Sequence, residues 1–169
     1  AYAVGDLHGR LDLLEQMLER IEEDDQSRPK AKTAIVFLGD LIDRGPDSAG
    51  VLERLRTYRP HDAKTIFLMG NHEDAMLEFL DGRSNGVPWL TYGGLETLVS
   101  YGVAIRRLPT NHESAAELRA ALWAAVPGSH VDFLRRCVLS HVADDYVFVH
   151  AGVRPGRPLE HQEPRDLLW

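Results

Sequence analysis

The sequence has 169 residues and a mass of 19.0 kDa, which corresponds to one domain. Its 26 acidic residues outnumber its 19 Lys and Arg residues, and the net charge of −7 argues against a nucleic-acid-binding protein, because phosphate binding needs a basic face. Cys137 is the only cysteine, which excludes an internal disulfide bond and a multi-cysteine metal site. No membrane span or signal peptide is visible, so we expect a cytoplasmic protein that binds no membrane.

Short apolar runs alternate with amphipathic segments in the first half of the chain. Three runs favour strands, and each stops at a Gly-Asp or Gly-Asn pair: 1–5, 33–38 and 65–69. Three segments favour helices: 11–23, 46–58 and 72–80. The polar segment 24–30 contains Pro29 and is predicted to be a loop. This alternation predicts βαβ units and a parallel sheet of the α/β class, in which ligands bind at the carboxyl ends of the strands.

The pattern changes after residue 80, where glycines and aromatic residues interrupt the sequence. We predict a helical insertion over 81–137 that lies beside the sheet rather than forming a separate domain. Its predicted helices are 94–100, 114–126 and 129–137. The runs 138–142 and 146–149 predict two strands joined by a tight turn. We expect 1–169 to form a single domain.

Polar side chains follow each predicted strand of the sheet and the last predicted strand of the chain. They are carboxylates, imidazoles and one carboxamide: Asp6, His8, Asp40, Asp43, Asn71, His72 and His150. Oxygen and nitrogen donors without a thiolate suit Mn²⁺, Fe²⁺, Zn²⁺ or Co²⁺. One carboxylate can bridge two such ions in phosphoester hydrolysis, and Asp40 lies in the middle of the three loops. The sequence therefore predicts a metal site at the carboxyl ends of the strands, with Asp40 as the bridge.

Four blocks of the sequence resemble those of the phosphoprotein phosphatases, calcineurin-like metallophosphoesterases best known as Ser/Thr protein phosphatases. Three are signature blocks: Gly-Asp-Leu-His-Gly at 5–9, Gly-Asp-Leu-Ile-Asp-Arg-Gly at 39–45, and Gly-Asn-His-Glu at 70–73. His-Ala-Gly at 150–152 resembles the fourth block. The resemblance covers 1–80 and, less closely, 138–169. It implies the layered metallophosphoesterase fold.

The resemblance implies two divalent metal ions as cofactors, of which Mn²⁺ is preferred and Fe, Zn or Co are alternatives. Asp6 and His8 would hold the first ion, Asn71 and His150 would hold the second, and Asp40 would be shared. A water or hydroxide between the two ions would be the nucleophile.

The remaining site residues have roles in proton transfer and phosphate binding. By the same resemblance, His72 would be the general acid that protonates the leaving alkoxide, and Asp43 would orient its imidazole. Arg44 would bind phosphate oxygens through its planar guanidinium. Arg154, in the loop after the fourth block, is a further candidate for a phosphate contact.

The sequence departs from the family pattern near its end. Family members supply the second metal ion with another histidine well beyond the fourth block. Only His161 follows His150 here, and it lacks a glycine-rich context. We therefore expect that this chain is truncated at its C-terminus and that the second metal site is one ligand short.

Several of these residues also have a structural interpretation. Asn71 could cap the helix that follows it, and Asp43 with Arg44 could form only a local ion pair. Glu73 is expected to favour the positive start of its helix rather than to take part in chemistry. Trp89 is expected to pack in the core.

The preferred functional hypothesis is a metal-dependent phosphomonoesterase that resembles a bacterial-type Ser/Thr protein phosphatase, with a phosphorylated protein or a small phosphoester as substrate. One alternative is the hydrolysis of dinucleoside polyphosphates or other small phosphoesters. Asp43 argues against the symmetrical dinucleoside tetraphosphatases, which carry alanine at the matching position. Another alternative is a non-catalytic binding module that keeps the fold without the full metal centre.

Overall fold

The computed structural model describes residues 1–105 and 107–169, and a three-stranded parallel sheet occupies its first half. The strands are β1 (Tyr2–Val4), β2 (Thr33–Phe37) and β3 (Ala63–Phe67), in the order β1-β2-β3. Helices connect or follow them as α1 (Leu11–Ser27), α2 (Ser48–Thr57) and α3 (Asn71–Leu80). The predicted α/β class with βαβ units and a parallel sheet is confirmed.

Helix α1 extends further than the sequence predicted. It runs through Ser27, so the prediction of a loop over 24–30 is wrong for the first part of that segment. The Arg28 guanidinium donates to the Asp24 carboxylate at 2.6 Å, and the Ser27 hydroxyl donates to the Asp24 carbonyl oxygen at 2.8 Å. These local contacts stabilise a polar last turn that carries no apolar spacing.

The sequence predicted that helix α2 begins at Pro46, but the helix begins at Ser48. The side chain of Asp47 accepts a hydrogen bond of 2.7 Å from the backbone N–H of Gly50. This bond satisfies a donor of the first turn that has no partner within the helix. The cap at Asp47 therefore sets the start of the helix.

The insertion over 81–137 is helical as predicted, apart from residue 106, which lies outside the described residues. It contains α4 (Val87–Trp89), a helical segment kinked at Gly93 (Leu90–Gly94), α5 (Leu95–Ser100), α6 (His112–Ala125) and α7 (Gly128–Arg135). The last three helices begin and end within two residues of their predicted bounds. The segment 87–93 was not predicted as helical, because its glycine and Pro88 favour a loop. Helices α5 and α7 pack against α2, and α6 and α7 pack against α3.

The end of the chain forms the predicted hairpin, in which β4 (Ser140–Ala143) and β5 (Tyr146–Val149) are antiparallel. Asp144 in the turn has a positive φ of 51°. The predicted strand 65–69 ends two residues after β3, and the predicted strand 138–142 begins two residues before β4. Between these boundaries, Leu68 and Val138 pair with each other in an isolated parallel bridge. A 3₁₀ turn (Leu159–His161) and α8 (Pro164–Leu168) follow.

The hydrophobic core lies between the sheet and its helices and continues into the insertion. Its fully buried side chains from the βαβ part include Leu14, Leu18, Phe37, Leu52, Leu55, Met76 and Phe79. Leu90, Leu98, Leu122 and Leu134 of the insertion belong to the same cluster. The insertion is therefore fixed to the sheet through a shared core. In the described residues, no helix is long and apolar enough to cross a membrane.

Two neighbouring leucines of α1 test this arrangement. Leu14 is 0% exposed, whereas Leu13 is 46% exposed. Leu14→Ala should lower the free energy of unfolding by about 2–5 kcal/mol, because it removes buried contacts and leaves a cavity. Leu13→Ala should change it by about 0.5 kcal/mol or less. Urea denaturation measures both values, and equal losses would contradict the assigned core.

Candidate metal centre

The loops after the three parallel strands lie against one another at the carboxyl edge of the sheet. The backbone N–H groups of Leu7 and His8 both donate to the Asp40 carbonyl oxygen at 2.9 Å, which joins the first loop to the second. A Cβ atom added at Gly70 would lie 2.3 Å from the Asp40 backbone nitrogen, so the third loop approaches closely enough to require glycine there. Packing of the backbones thus brings the three loops to one point.

Asp40 lies where the predicted metal ligands converge. Its Oδ2 atom lies 3.6 Å from His8 Nε2 and 3.8 Å from His72 Nε2, and its Oδ1 atom lies 3.4 Å from His150 Nε2. Asp6 approaches from the first loop, with Oδ2 3.7 Å from His8 Nε2. The two carboxylate oxygens of Asp40 therefore face imidazoles on different sides.

Two groups of donors meet the geometric requirement for holding an ion, and both include Asp40. One consists of His8, Asp40 and His72, and the other of Asp6, Asp40 and His150. In each group the donor atoms lie within 4.8 Å of one another. The sequence analysis grouped Asp6 with His8 and expected His72 to act only as an acid. The structure brings all of these residues together, with His72 as close to Asp40 as His8 is.

The histidines of the centre are oriented by hydrogen bonds on their outer nitrogen atoms. Nδ1 of His8 lies 2.8 Å from the Ile42 carbonyl oxygen, and Nδ1 of His150 lies 2.8 Å from the Leu38 carbonyl oxygen. Since a carbonyl oxygen can only accept, each Nδ1 carries the proton, and in the neutral ring Nε2 presents a lone pair to the centre. This tautomer is the one that a metal-binding histidine needs.

Asn71 completes the second set of donors. Its Oδ1 atom lies 3.0 Å from His150 Nε2. In the neutral tautomer assigned above, both atoms are acceptors, so a divalent cation between them would satisfy both lone pairs. Gly70 rather than Asn71 is the cap of α3, so the interpretation of Asn71 as a helix cap is wrong. The donor set fits divalent ions of the borderline class.

His72 and Asp43 form a buried pair beside the metal ligands. His72 Nδ1 lies 2.6 Å from Asp43 Oδ2, with His72 4% exposed and Asp43 0% exposed. Burial on its own would lower the pKa of His72, but the hydrogen bond to Asp43 and the charges of Asp40 and Asp43 outweigh it and raise that pKa. Asp43 accepts from Nδ1, whereas Nε2 faces the Arg44 guanidinium, which can only donate, so Nε2 is an acceptor in this arrangement.

Arg44 lies at the exposed mouth of the centre. Its Nη1 atom lies 2.7 Å from His8 Nε2, and its Nη2 atom lies 3.1 Å from His72 Nε2. Its side chain contacts these imidazoles rather than the neighbouring carboxylate, so the local ion pair with Asp43 is not formed. An anion that enters the centre would meet this guanidinium.

Glu73 has a role that the sequence analysis missed. It is fully buried, and its carboxylate accepts hydrogen bonds of 2.8–3.2 Å from four backbone N–H groups: those of Asp40, Leu41, Ile42 and Gly70. Burial and the charge of Asp40 raise the pKa of Glu73 to about 7, while the backbone N–H groups oppose that shift. Glu73 therefore holds the Asp40 loop against the start of α3, besides favouring the start of its helix.

Two residues named by the sequence analysis lie outside the two donor groups. Arg154 is exposed, and its backbone N–H donates to Gln162 Oε1 at 2.7 Å in the loop after β5. Among the described residues, its side chain makes no hydrogen bond or ion pair with the centre. His161 is also exposed, in the 3₁₀ turn. A phosphate contact by Arg154 and a further metal-binding histidine stay predictions.

The chain belongs to the calcineurin-like phosphoesterase family, whose sequence profile matches residues 2–169. It is 31% identical over 163 residues to a symmetrical bis(5'-nucleosyl)-tetraphosphatase of Nitrosospira multiformis, and this match covers 96% of the chain and 46% of that protein. It is 37% identical over 93 residues to serine/threonine-protein phosphatase 1 of Salmonella typhimurium, covering 55% of the chain and 38% of that protein. The predicted family is therefore confirmed, and the chain spans about half the length of the curated relatives it matches.

Solved structures confirm the predicted metallophosphoesterase fold. A protein described as a candidate diadenosine tetraphosphatase superposes with a TM-score of 0.57 and 24% identity, covering 98% of this chain and 55% of that one. A metallophosphoesterase from Sphaerobacter thermophilus superposes with a TM-score of 0.51 and 19% identity, covering 99% and 48%. At these identities the likeness concerns the fold alone.

The bracing role of Glu73 can be tested by Glu73→Gln. The amide would present N–H groups where the carboxylate now accepts from the backbone, leaving buried donors unpaired. We expect the free energy of unfolding to fall by about 1–3 kcal/mol and the affinity for Mn²⁺ to fall about 10–100-fold. Urea denaturation and isothermal titration with MnCl₂ measure the two effects. Glu23→Gln, at an exposed position of α1, is the matched control. Unchanged Mn²⁺ affinity in Glu73→Gln would contradict the bracing role.

Proposed function

We propose that the protein is a phosphoester hydrolase whose centre holds two divalent metal ions through the shared carboxylate of Asp40. The observation that carries this proposal is the pair of donor groups that overlap at Asp40. By the family resemblance, Asp6 and His8 would hold one ion, and Asn71 and His150 would hold the other. The distances of 3.7 Å from Asp6 Oδ2 to His8 Nε2 and 3.0 Å from Asn71 Oδ1 to His150 Nε2 support this division. The two donor groups divide differently, since they pair His8 with His72 and Asp6 with His150. Mn²⁺ is the first candidate, followed by Fe, Zn and Co.

Bound divalent ions supply an activated water at neutral pH and polarise phosphate oxygens. The other tasks fall to side chains of this chain. Arg44 would bind phosphate oxygens with its guanidinium at the mouth of the centre. Once Arg44 turns from His72 Nε2 to the phosphate, Nε2 could take up a proton and donate it to the leaving oxygen, while Asp43 holds Nδ1.

The first substrate class that we propose is dinucleoside polyphosphates. The relatives that match more than nine-tenths of this chain support it, since the one from Nitrosospira multiformis and several others are named as symmetrical bis(5'-nucleosyl)-tetraphosphatases. From the sequence alone, dinucleoside polyphosphates are the second choice, because the symmetrical dinucleoside tetraphosphatases carry alanine at the position of Asp43. The similarity to one of them over 96% of the chain is the stronger argument.

The second substrate class is phosphorylated protein. The pair of Asp43 and His72 favours it, because a general acid contributes most where the leaving group is a strongly basic alkoxide such as that of serine. A nucleotide phosphate is a much weaker base and leaves with less help. The match to serine/threonine-protein phosphatase 1, over 55% of the chain, also supports this class. The cytoplasmic location expected from the sequence stays a prediction.

Asp40→Asn tests the metal centre itself. Because Asp40 belongs to both donor groups, the variant should bind neither metal ion tightly and should lose turnover of p-nitrophenyl phosphate. Metal analysis after dialysis and the phosphatase assay measure these two properties. Asp145→Asn, in the exposed turn between β4 and β5, should keep both.

Unaltered activity in Asp40→Asn would defeat the proposal. A parent protein that binds Mn²⁺ but hydrolyses no phosphoester would instead favour the non-catalytic binding module.

His72→Asn tests the acid and the substrate class together. We expect turnover of a phosphoserine peptide to fall by about 10²–10⁴-fold, and that of diadenosine tetraphosphate to fall less, because the released nucleotide needs less protonation. Values of kcat/KM on both substrates, for the parent and the variant, provide the comparison. We expect the parent to prefer diadenosine tetraphosphate. Preference for the peptide would support the second class, and equal losses on both substrates would count against His72 as the acid.

A further inference from the structure

Two consecutive residues of the second loop adopt an unusual backbone conformation. Asp43 and Arg44 have positive φ angles of 74° and 64°. Side chains other than glycine rarely adopt this region, and they remain there only where the surrounding structure holds them. Both side chains also form hydrogen bonds with the His72 ring, Asp43 at Nδ1 and Arg44 at Nε2.

The backbone of this pair is held mainly by the insertion. The Asp43 N–H donates to the hydroxyl oxygens of Ser48 and Thr97, both at 3.0 Å. The Arg44 N–H donates to the Gly93 carbonyl oxygen at 3.0 Å. Thr97 lies in α5, and Gly93 forms the kink in the segment before it. The conformation of the Asp43 loop therefore depends on residues that lie some 50 positions later in the chain.

The carboxylate of Asp43 is held in the same way. Its Oδ2 atom accepts from Trp89 Nε1 at 2.7 Å as well as from His72 Nδ1 at 2.6 Å. Its Oδ1 atom accepts from the Thr97 hydroxyl at 2.5 Å. Asp43, Trp89 and Thr97 are all buried. With donors fixed on both oxygens, the carboxylate can neither rotate nor turn away from His72.

We propose that Trp89 and Thr97 are positioning residues, which fix the Asp43 carboxylate so that His72 is aimed at the leaving oxygen. This inference rests on the proposed hydrolase function and extends it, because it brings the insertion into the proton-transfer step. Among the described residues, neither side chain makes a hydrogen bond to Asp6, His8, Asp40, Asn71 or His150. The sequence analysis assigned Trp89 to core packing, and its ring does pack against Phe79 at 5.6 Å, but the indole N–H adds a hydrogen bond to Asp43.

Trp89→Phe separates these two roles, since it keeps an aromatic ring and removes the N–H. We expect kcat on phenyl phosphate to fall about 10–100-fold, kcat on p-nitrophenyl phosphate to fall by a smaller factor, and KM to stay near the parent value. The activated ester needs little protonation, so the difference reports on the acid. Trp123→Phe is the matched control: its indole N–H, also in the insertion, donates to the Leu80 carbonyl oxygen, remote from the centre.

Thr97 provides an independent variant with a rescue. Thr97→Val removes the hydroxyl that reaches both the Asp43 carboxylate and its backbone N–H, so it should show the same dependence on the leaving group. Thr97→Ser retains the hydroxyl and should restore most of kcat. A double-mutant cycle with Asp43→Asn completes the test. If Trp89 acts through Asp43, Trp89→Phe should have little further effect once Asp43 is changed.

A measurement without turnover keeps this inference separate from the proposed function. In the metal-free protein, the proton on His72 Nδ1 should exchange slowly with water in the ¹⁵N-resolved spectrum, faster in Trp89→Phe, and unchanged in Trp123→Phe. Equal losses on the two phenyl esters, full additivity with Asp43→Asn, or unchanged exchange in Trp89→Phe would overturn the inference. A parent protein without phosphoesterase activity would instead overturn the proposed function, and the exchange measurement would still decide the role of Trp89.

Discussion

The site depends on keeping one buried carboxylate, that of Asp40, among imidazoles that come from three other places in the chain. Such a charge is costly to bury, and the nearby carboxylate of Glu73 adds to the cost. For Glu73 the fold compensates with the backbone N–H groups of Asp40, Leu41, Ile42 and Gly70, and the Asp40 carboxylate accepts from the backbone N–H of His72 at 3.3 Å. The same contacts hold the second loop against α3. Histidines on both sides of Asp40 can then offer lone pairs to cations that would balance the charge.

Much of this arrangement could be predicted from the sequence, because the signals are local. Apolar runs that stop at Gly-Asp or Gly-Asn pairs indicated the parallel strands, and the residues after those pairs indicated the donors. Glu73 was predicted only to favour the start of its helix, although it belongs to the same sequence motif as Asn71 and His72. Its four backbone partners lie in other loops or at the helix cap, and no spacing pattern reveals them.

The contacts of the insertion were harder to predict for the same reason. Trp89 and Thr97 meet Asp43 across a sequence separation of about 50 residues. The aromatic and glycine-rich composition of 87–93 predicted a loop or a core segment, whereas the structure forms short helical turns there that are kinked at Gly93 and lead into the predicted α5. The kink places the Gly93 carbonyl oxygen 3.0 Å from the Arg44 backbone nitrogen.

Asp43 and Arg44, whose backbones are left-handed, are held in place by a segment that carries none of the cation donors. The strand-end loops carry the atoms suited to cations, and the segment 87–97 restrains the two groups that would handle the departing oxygen and the phosphate. If Trp89 and Thr97 act as proposed, a substitution confined to that segment would change which leaving groups are tolerated while the cation donors stay in place. Substrate range and metal dependence would then respond to mutations in different segments of the chain.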